Sequence, residues 1–274
     1  MTAAVLVNGS PDPVVSIHDR GLAFGDGVFR TLLVRAGRPL NWERQYRRLV
    51  HDCVALALTP PGEHALLGEI AAVAPQEAVV KITVTRGAGP RGYAIAGGET
   101  PTRVVAAHPL PDYPEALARE GVHVRWCELV LGEQPRLAGV KSLNRLESVF
   151  ARSEWDDPGI REGLLCDAAG CVIGGTMSNV FIVLAGALAT PELSRCGVAG
   201  AQRERIIDLA RDAGVSCEVR DIGVEELGRA DEVFLTNSLM GLWPVSKLDD
   251  REWTRFPVAD RFRERIADDD SRAA

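Results

Sequence analysis

Lysine is scarce in this chain: Lys81, Lys141 and Lys247 stand among 31 basic residues. Arginine keeps its charge at any accessible pH, whereas a lysine amine can lose its proton and condense with a carbonyl. A chain that otherwise chooses arginine therefore gives each lysine a claim to chemistry, and Lys141 has the strongest. Leu137, Ala138 and Val140 precede it, and Leu143, Leu146, Val149 and Phe150 follow at helical spacing. Such flanks desolvate an amine, lower its pKa and supply the neutral nucleophile that condensation needs. The plainer alternative is a surface charge just before a helix. Lys81 alternates with Val80, Ile82 and Val84 like the polar face of a strand, and Lys247 precedes Leu248-Asp249-Asp250 in a turn.

The elements that must hold such a lysine read as α+β. In the first half, strands are expected at Val5 to Val7, Val28 to Val34, Val79 to Thr85 and Arg103 to Ala107, with turns at Asn8-Gly9 and Ala36-Gly37. Trp42, Tyr46, Leu49, Val50, Cys53 and Leu56 share one face of a helix over roughly Trp42 to Leu58, stopped by Thr59-Pro60-Pro61-Gly62. Three prolines between Pro109 and Pro114 suggest a linker. The expected division is an N-terminal α+β domain over 1–108, a linker over 109–117 and a strand-rich domain over 118–274 that carries Lys141. Beyond the linker, strands are expected at Val122 to Leu129, Gly163 to Cys166, Cys171 to Ile173, Val180 to Leu184, Ala187 to Ala189, Cys217 to Asp221 and Glu232 to Leu235. Helices are expected after Lys141, at Gly200 to Ala213 and at Arg261 to Ile266.

Composition narrows the partners. A net charge of -7 gives no electrostatic reason to bind nucleic acid or an anionic membrane. No stretch has the length of a membrane span, and the first residues lack the basic start and apolar run of a signal peptide, so a cytosolic protein is expected. The six cysteines lie apart, without CxxC pairs or histidines at ligand spacing, which argues against a zinc site or a disulfide framework.

Lys141 also belongs to a series of segments. In order they are Asp19-Arg20-Gly21-Leu22-Ala23-Phe24-Gly25-Asp26-Gly27-Val28-Phe29, Gly139-Val140-Lys141-Ser142-Leu143-Asn144-Arg145-Leu146, Ser178-Asn179-Val180-Phe181, Gly197-Val198-Ala199-Gly200-Ala201-Gln202-Arg203 and Asp231-Glu232-Val233-Phe234-Leu235-Thr236-Asn237-Ser238. Together they resemble the fold-type IV pyridoxal-phosphate enzymes, which include branched-chain and D-amino acid aminotransferases and aminodeoxychorismate lyases. Arg86-Gly87-Ala88-Gly89-Pro90-Arg91-Gly92-Tyr93 and Lys141 to Glu147 look most like the lyase branch, which splits aminodeoxychorismate into 4-aminobenzoate and pyruvate on the way to folate.

The resemblance implies a two-domain fold, a homodimer, pyridoxal 5'-phosphate as cofactor and a set of roles. Lys141 condenses with the cofactor and moves the substrate proton. Arg48 holds the phosphate, with Ala201 and Gln202 at a helix start and Asn237 and Ser238 after a strand. Gly174, Ser178 and Asn179 lie along the cofactor. Arg91 and Tyr93 grip the substrate carboxylates, with Arg30 and Thr31 as further candidates. Asn144 braces the lysine segment. On residue type alone, Arg48 and Arg91 could equally be solvated cations, and Gly200 merely the start of a helix.

One departure bears on chemistry. Members of this group generally carry glutamate where this chain has Gly174, and that carboxylate keeps the pyridine nitrogen protonated. Gly174→Glu is therefore expected to restore the electron sink, unless a side chain crowds the ring. A fold-type IV aminotransferase of D- or branched-chain amino acids is the alternative within enzymes, and a pyridoxal-phosphate-binding protein with impaired catalysis the alternative outside them.

Overall fold

The computed structural model describes residues 4–273; Met1–Ala3, part of the stretch read above for a signal peptide, lie outside the described residues. The chain forms two compact units. One takes the residues up to Pro111 together with Val140–Asn144, and the other takes Asp112–Gly139 and Arg145–Ala273.

The first unit runs β1 (Val5–Val7), α1 (Arg20–Phe24), β2 (Gly27–Arg35), β3 (Arg38–Pro39), α2 (Trp42–Ala55), α3 (Glu63–Val73), β4 (Ala78–Thr85) and β5 (Thr102–His108). Its strands form an antiparallel sheet ordered β1-β5-β4-β2-β3. Alternation gives that sheet two unlike faces. Val28, Leu32 and Val34 from β2 and Val80, Ile82 and Val84 from β4 join Leu49 and Cys53 of α2 and Leu66 and Ile70 of α3 in one core. Each such side chain contributes roughly 1.5–3 kcal/mol on burial. The residues between them, Phe29, Thr31 and Leu33 on β2 and Lys81 and Thr83 on β4, are partly or fully exposed.

Residues 141–143 extend this sheet along the edge of β2. The Phe29 N–H donates to the Lys141 carbonyl (3.0 Å), the Leu143 N–H to the Gly27 carbonyl (2.9 Å), and Val28 bridges Ser142. Lys141 thus belongs to the first unit, contrary to the expectation that the second domain carries it, because its backbone is hydrogen-bonded into β2. The chain leaves the first unit at Pro111, inside the proline-rich segment. The expected linker is too long, since Asp112 onward already belongs to the second unit and a helix begins at Glu115.

That second unit runs α4 (Glu115–Glu120), β6 (Val122–Leu131), α5 (Leu146–Arg152), β7 (Ile160–Asp167), β8 (Val172–Gly175), β9 (Asn179–Leu184), β10 (Ala187–Pro191), α6 (Ala201–Asp212), β11 (Cys217–Arg220), α7 (Val224–Gly228), β12 (Glu232–Asn237), β13 (Gly241–Leu248), β14 (Arg251–Glu252) and α8 (Pro257–Ala273). One mixed sheet, β11-β10-β9-β12-β13-β6-β7-β8, holds it together, with β14 beside β13. Phe181, Phe234 and Phe262 stack through its centre, with ring centroids 5.1 and 6.5 Å apart. The α+β class expected from the sequence is the class observed. Among the described residues no helix is long and apolar enough to cross a membrane.

Candidate active site

Both main-chain polar groups of Lys141 are held. Its carbonyl accepts from Phe29, and its N–H donates to Asp52 Oδ2 at 3.1 Å. Its amine lies over the Phe29 ring, 4.5 Å from the centroid. A second amine shares that ring: Lys81 Nζ is 5.0 Å from the same centroid. Register explains this, because Lys81 pairs with Thr31 and Thr83 with Phe29, so all four side chains leave the sheet on the side away from the core. A polar strand face was the expectation for Lys81; that face is the one bearing Lys141.

Arg30 does not join them. It shares the parity of Val28 and Leu32, is 2 % exposed, and hydrogen-bonds Asp52, which has no exposure at all. The assignment of Arg30 to substrate is therefore corrected: the guanidinium is turned into the core, away from the face that carries Thr31. Burial pulls it below its ordinary pKa, against the attraction of Asp52. Arg48, one helical turn before Asp52 on α2, brings Nη2 to 3.7 Å from the other carboxylate oxygen and remains partly exposed.

The loop carrying Arg91 and Tyr93 is pinned by Arg20. This buried guanidinium donates to the carbonyls of Gly92 (2.9 Å), Tyr93 (3.3 Å) and Ala94 (3.4 Å), and through Nε to Asp26 (3.0 Å). Arg86 grips the same carboxylate with two bonds, of 2.8 and 3.0 Å. Burial alone would raise the Asp26 carboxyl, but the hydrogen bonds from Arg86 and Arg20 outweigh it and hold it below its ordinary pKa. The backbone is thereby fixed while Arg91 and Tyr93 stay exposed, with the Tyr93 ring against Phe24 at 5.3 Å. Asn144 donates to the Gly25 carbonyl (3.3 Å), a brace of the expected kind.

In the second unit a buried carboxylate organises the turn between β8 and β9. Glu162, 1 % exposed, accepts from the N–H groups of Gly163 (3.0 Å), Thr176 (3.0 Å) and Met177 (3.1 Å) and from the hydroxyls of Thr176 (2.5 Å) and Ser178 (2.7 Å). Asn179 follows; its Nδ2 donates to Val198 (2.8 Å) and its Oδ1 accepts from Gly200 (3.1 Å) at the start of α6. A Cβ at Gly200 would sit 2.4 Å from that Oδ1, so only glycine fits. The Gly200 cap of α6 makes no side-chain hydrogen bond, and the helix opens with Ala201 and Gln202, both buried. Asn237 spends its amide on Met177, Leu239 and Met240, which makes it a clamp on its own turn rather than a ready phosphate ligand. Ser238 follows in that turn.

Gly174 lies buried in β8, paired with Leu165. A Cβ there would come 2.9 Å from the Ser178 carbonyl, which already accepts from Gly175 N–H at 2.8 Å. The neighbouring acid, Glu162, is saturated by the turn it holds. Sequence reasoning missed Asp52, Lys81, Arg20 and Glu162. Strand parity carried a signal for the first two: an arginine on an apolar face requires a buried acid, and a lysine opposite Thr31 must share its side.

The class IV amino-transferase family matches residues 27–248. An aminodeoxychorismate lyase of Vibrio harveyi is 34% identical over 242 residues, 88% of this chain and 89% of its own. A D-alanine aminotransferase of Bacillus licheniformis is 26% identical, covering 89% and 88%. The crystal structure of 4-amino-4-deoxychorismate lyase from Pseudomonas aeruginosa superposes with a TM-score of 0.93 at 44% identity, over 97% of this chain and 98% of that one. A match over most of the length, joined to a lysine seated in a fixed backbone, leaves one assignment: the chain belongs to the class IV amino-transferase family.

Proposed function

We propose that the protein is a pyridoxal-phosphate-dependent lyase that converts 4-amino-4-deoxychorismate into 4-aminobenzoate and pyruvate. The observation that carries this reading is Lys141: a rare amine, fixed at both main-chain groups, over an aromatic ring on the exposed side of a sheet. The likeness to the Pseudomonas lyase at 44% identity supports the substrate.

In the first unit Lys141 supplies the amine for the cofactor, and Arg48 a cation for its phosphate. In the second unit the start of α6 at Gly200 is a helix N-terminus, whose dipole suits an anion. The fit stops at Gly174, since β8 offers no acid for the ring nitrogen. When bound, pyridoxal phosphate supplies an aldehyde for the substrate amine and a ring that withdraws electrons from the amine-bearing carbon. Lys141 Nζ would take the proton from that carbon as the ring carbon–oxygen bond to the enolpyruvyl group breaks, and would return it to the departing enolate, which becomes pyruvate. Aromatisation drives this elimination and makes it less dependent on a strong electron sink than transamination. Gly174 therefore favours the lyase over the aminotransferase. Lys81, on the Lys141 side of the sheet, and Arg91, on its pinned loop, are the cations proposed for the two substrate carboxylates, with Thr31 and Tyr93 beside them.

A homodimer is part of the proposal. Helix α5 packs beside β6, and the two expose Leu146, Val149, Phe150 and Val130 at 56–68%, an apolar face of the kind that protein contacts cover. Six free cysteines accord with a reducing, cytoplasmic setting, and the net charge of -7 with a small-molecule partner in place of nucleic acid.

Borohydride reduction with pyridoxal phosphate, followed by peptide mapping, is expected to tag Lys141. Incubation with aminodeoxychorismate is expected to release 4-aminobenzoate. A new keto acid from D-alanine or a branched-chain amino acid would assign an aminotransferase instead, and no product at all a binding protein. Light scattering that finds only monomer at micromolar protein would remove the dimer.

A further inference from the structure

We propose that Asp52 is a positioning residue: its buried carboxylate fixes the main chain of the reactive lysine. The inference rests on the cofactor reading above and adds a residue to it. Asp52 has no solvent exposure, and its two oxygens meet Arg30, Arg48, His51 and the Lys141 N–H. Oδ2 accepts from Arg30 and from the Lys141 N–H at 3.1 Å. Oδ1 faces Arg48 Nη2 at 3.7 Å and His51 Nδ1 at 3.3 Å. Arg30 also donates to the Arg48 carbonyl at 3.4 Å. One carboxylate thus ties strand β2, helix α2 and the lysine segment together.

Stability alone does not explain such a group. A buried ion pair is often no more stabilising than apolar side chains of the same volume, because desolvation consumes the attraction. What it gives that leucine and methionine cannot is a directional acceptor for one peptide N–H. The Lys141 carbonyl is already taken by Phe29, so the Asp52 bond fixes the second main-chain group, and the amine moves only through its own side-chain torsions.

Two double variants separate positioning from bulk stability. Arg30→Met with Asp52→Asn removes both charges yet keeps an oxygen for the Lys141 N–H; Arg30→Met with Asp52→Leu removes that oxygen too. The Leu form leaves the Lys141 N–H without an acceptor and is expected to melt somewhat lower; titrated by absorbance well below either melting temperature, it is expected to bind pyridoxal phosphate about tenfold more weakly than the Asn form. Equal affinities would overturn the proposal. Amide hydrogen exchange of cofactor-free wild type needs no variant: the Lys141 N–H is expected to be as protected as the β2–β4 ladder, and free exchange would also overturn it. Absence of any borohydride adduct on wild-type Lys141 would instead sink the cofactor reading itself, and the positioning role with it.

Discussion

Replacing Glu162 by glutamine tests the turn that carries Ser178 and Asn179. The carboxylate accepts five hydrogen bonds, three at Oε1 and two at Oε2. Glutamine retains one acceptor oxygen and presents an NH2 group in place of the other. With its oxygen at the Oε1 site it keeps the bonds from Gly163 and Thr176. The NH2 then meets the Ser178 hydroxyl, which can rotate to accept, and the Met177 N–H, which cannot. One part-buried N–H left without its acceptor costs at most about 1–3 kcal/mol, and the surviving bonds lose charge assistance. Relief from burying a charge offsets part of this, so a net loss of about 2–4 kcal/mol is expected. For a unit of this size that lowers Tm by about 5–15 °C. Calorimetry of the cofactor-free protein measures it, and titration with pyridoxal phosphate should weaken in parallel, because Asn179 at the end of the turn braces Gly200. A loss below about 0.5 kcal/mol, within the range of ordinary surface substitutions, would refute the accounting. Full destabilisation with unchanged affinity would refute the link to the site.

Gly174→Glu is now expected to lose cofactor occupancy rather than gain activity, because its Cβ would meet the Ser178 carbonyl at 2.9 Å and displace the turn, at about 1–3 kcal/mol; undiminished stability with faster turnover would reinstate the electronic reading. Arg48→Ala should weaken pyridoxal phosphate binding by about 1.5–3 kcal/mol if it makes a charge-assisted contact to the phosphate, and unchanged affinity would return it to a structural role beside Asp52. Burial pushes the Cys53 and Cys127 thiols up to about 12 and those of Cys166, Cys196 and Cys217 up to about 11. Unfolded thiols ionise near 9.0 while folded ones hold their protons, so stability should fall as pH rises from about 9 towards 11–12; a flat denaturation profile across that window would contradict it.

Much of this was legible because period and punctuation agree locally. The helix read over Trp42 to Leu58 is α2, Trp42–Ala55, and the strand read over Val28 to Val34 is β2, Gly27–Arg35. Helix α3 escaped because Glu63–Val73 shows little periodic contrast between its faces, although Leu66, Glu69, Ile70 and Val73 are its buried residues. Strand β13 escaped because Pro244 argues against a central strand; the ladder there bulges between Val245 and Lys247. At the site, Lys141 was visible from residue choice alone. Asp52, 89 residues away in sequence, was not, because the pairing depends on tertiary contact between α2 and a segment that returns to β2.

The return of residues 140–144 to the first unit also sets an order of events during synthesis. A ribosome that has made everything up to Pro111 has delivered all the strands of the first sheet but not the segment that finishes its edge; Asp112–Gly139 must come first. Until then the Gly27 carbonyl and the Phe29 N–H face outward on an unpaired strand edge, a template for wrong partners. Asp52 meanwhile waits without the amide that the finished fold directs at it. The first unit is therefore contiguous in space but not in the chain, and a fragment cut at Pro111 would carry neither a finished edge nor the lysine that the edge exists to hold.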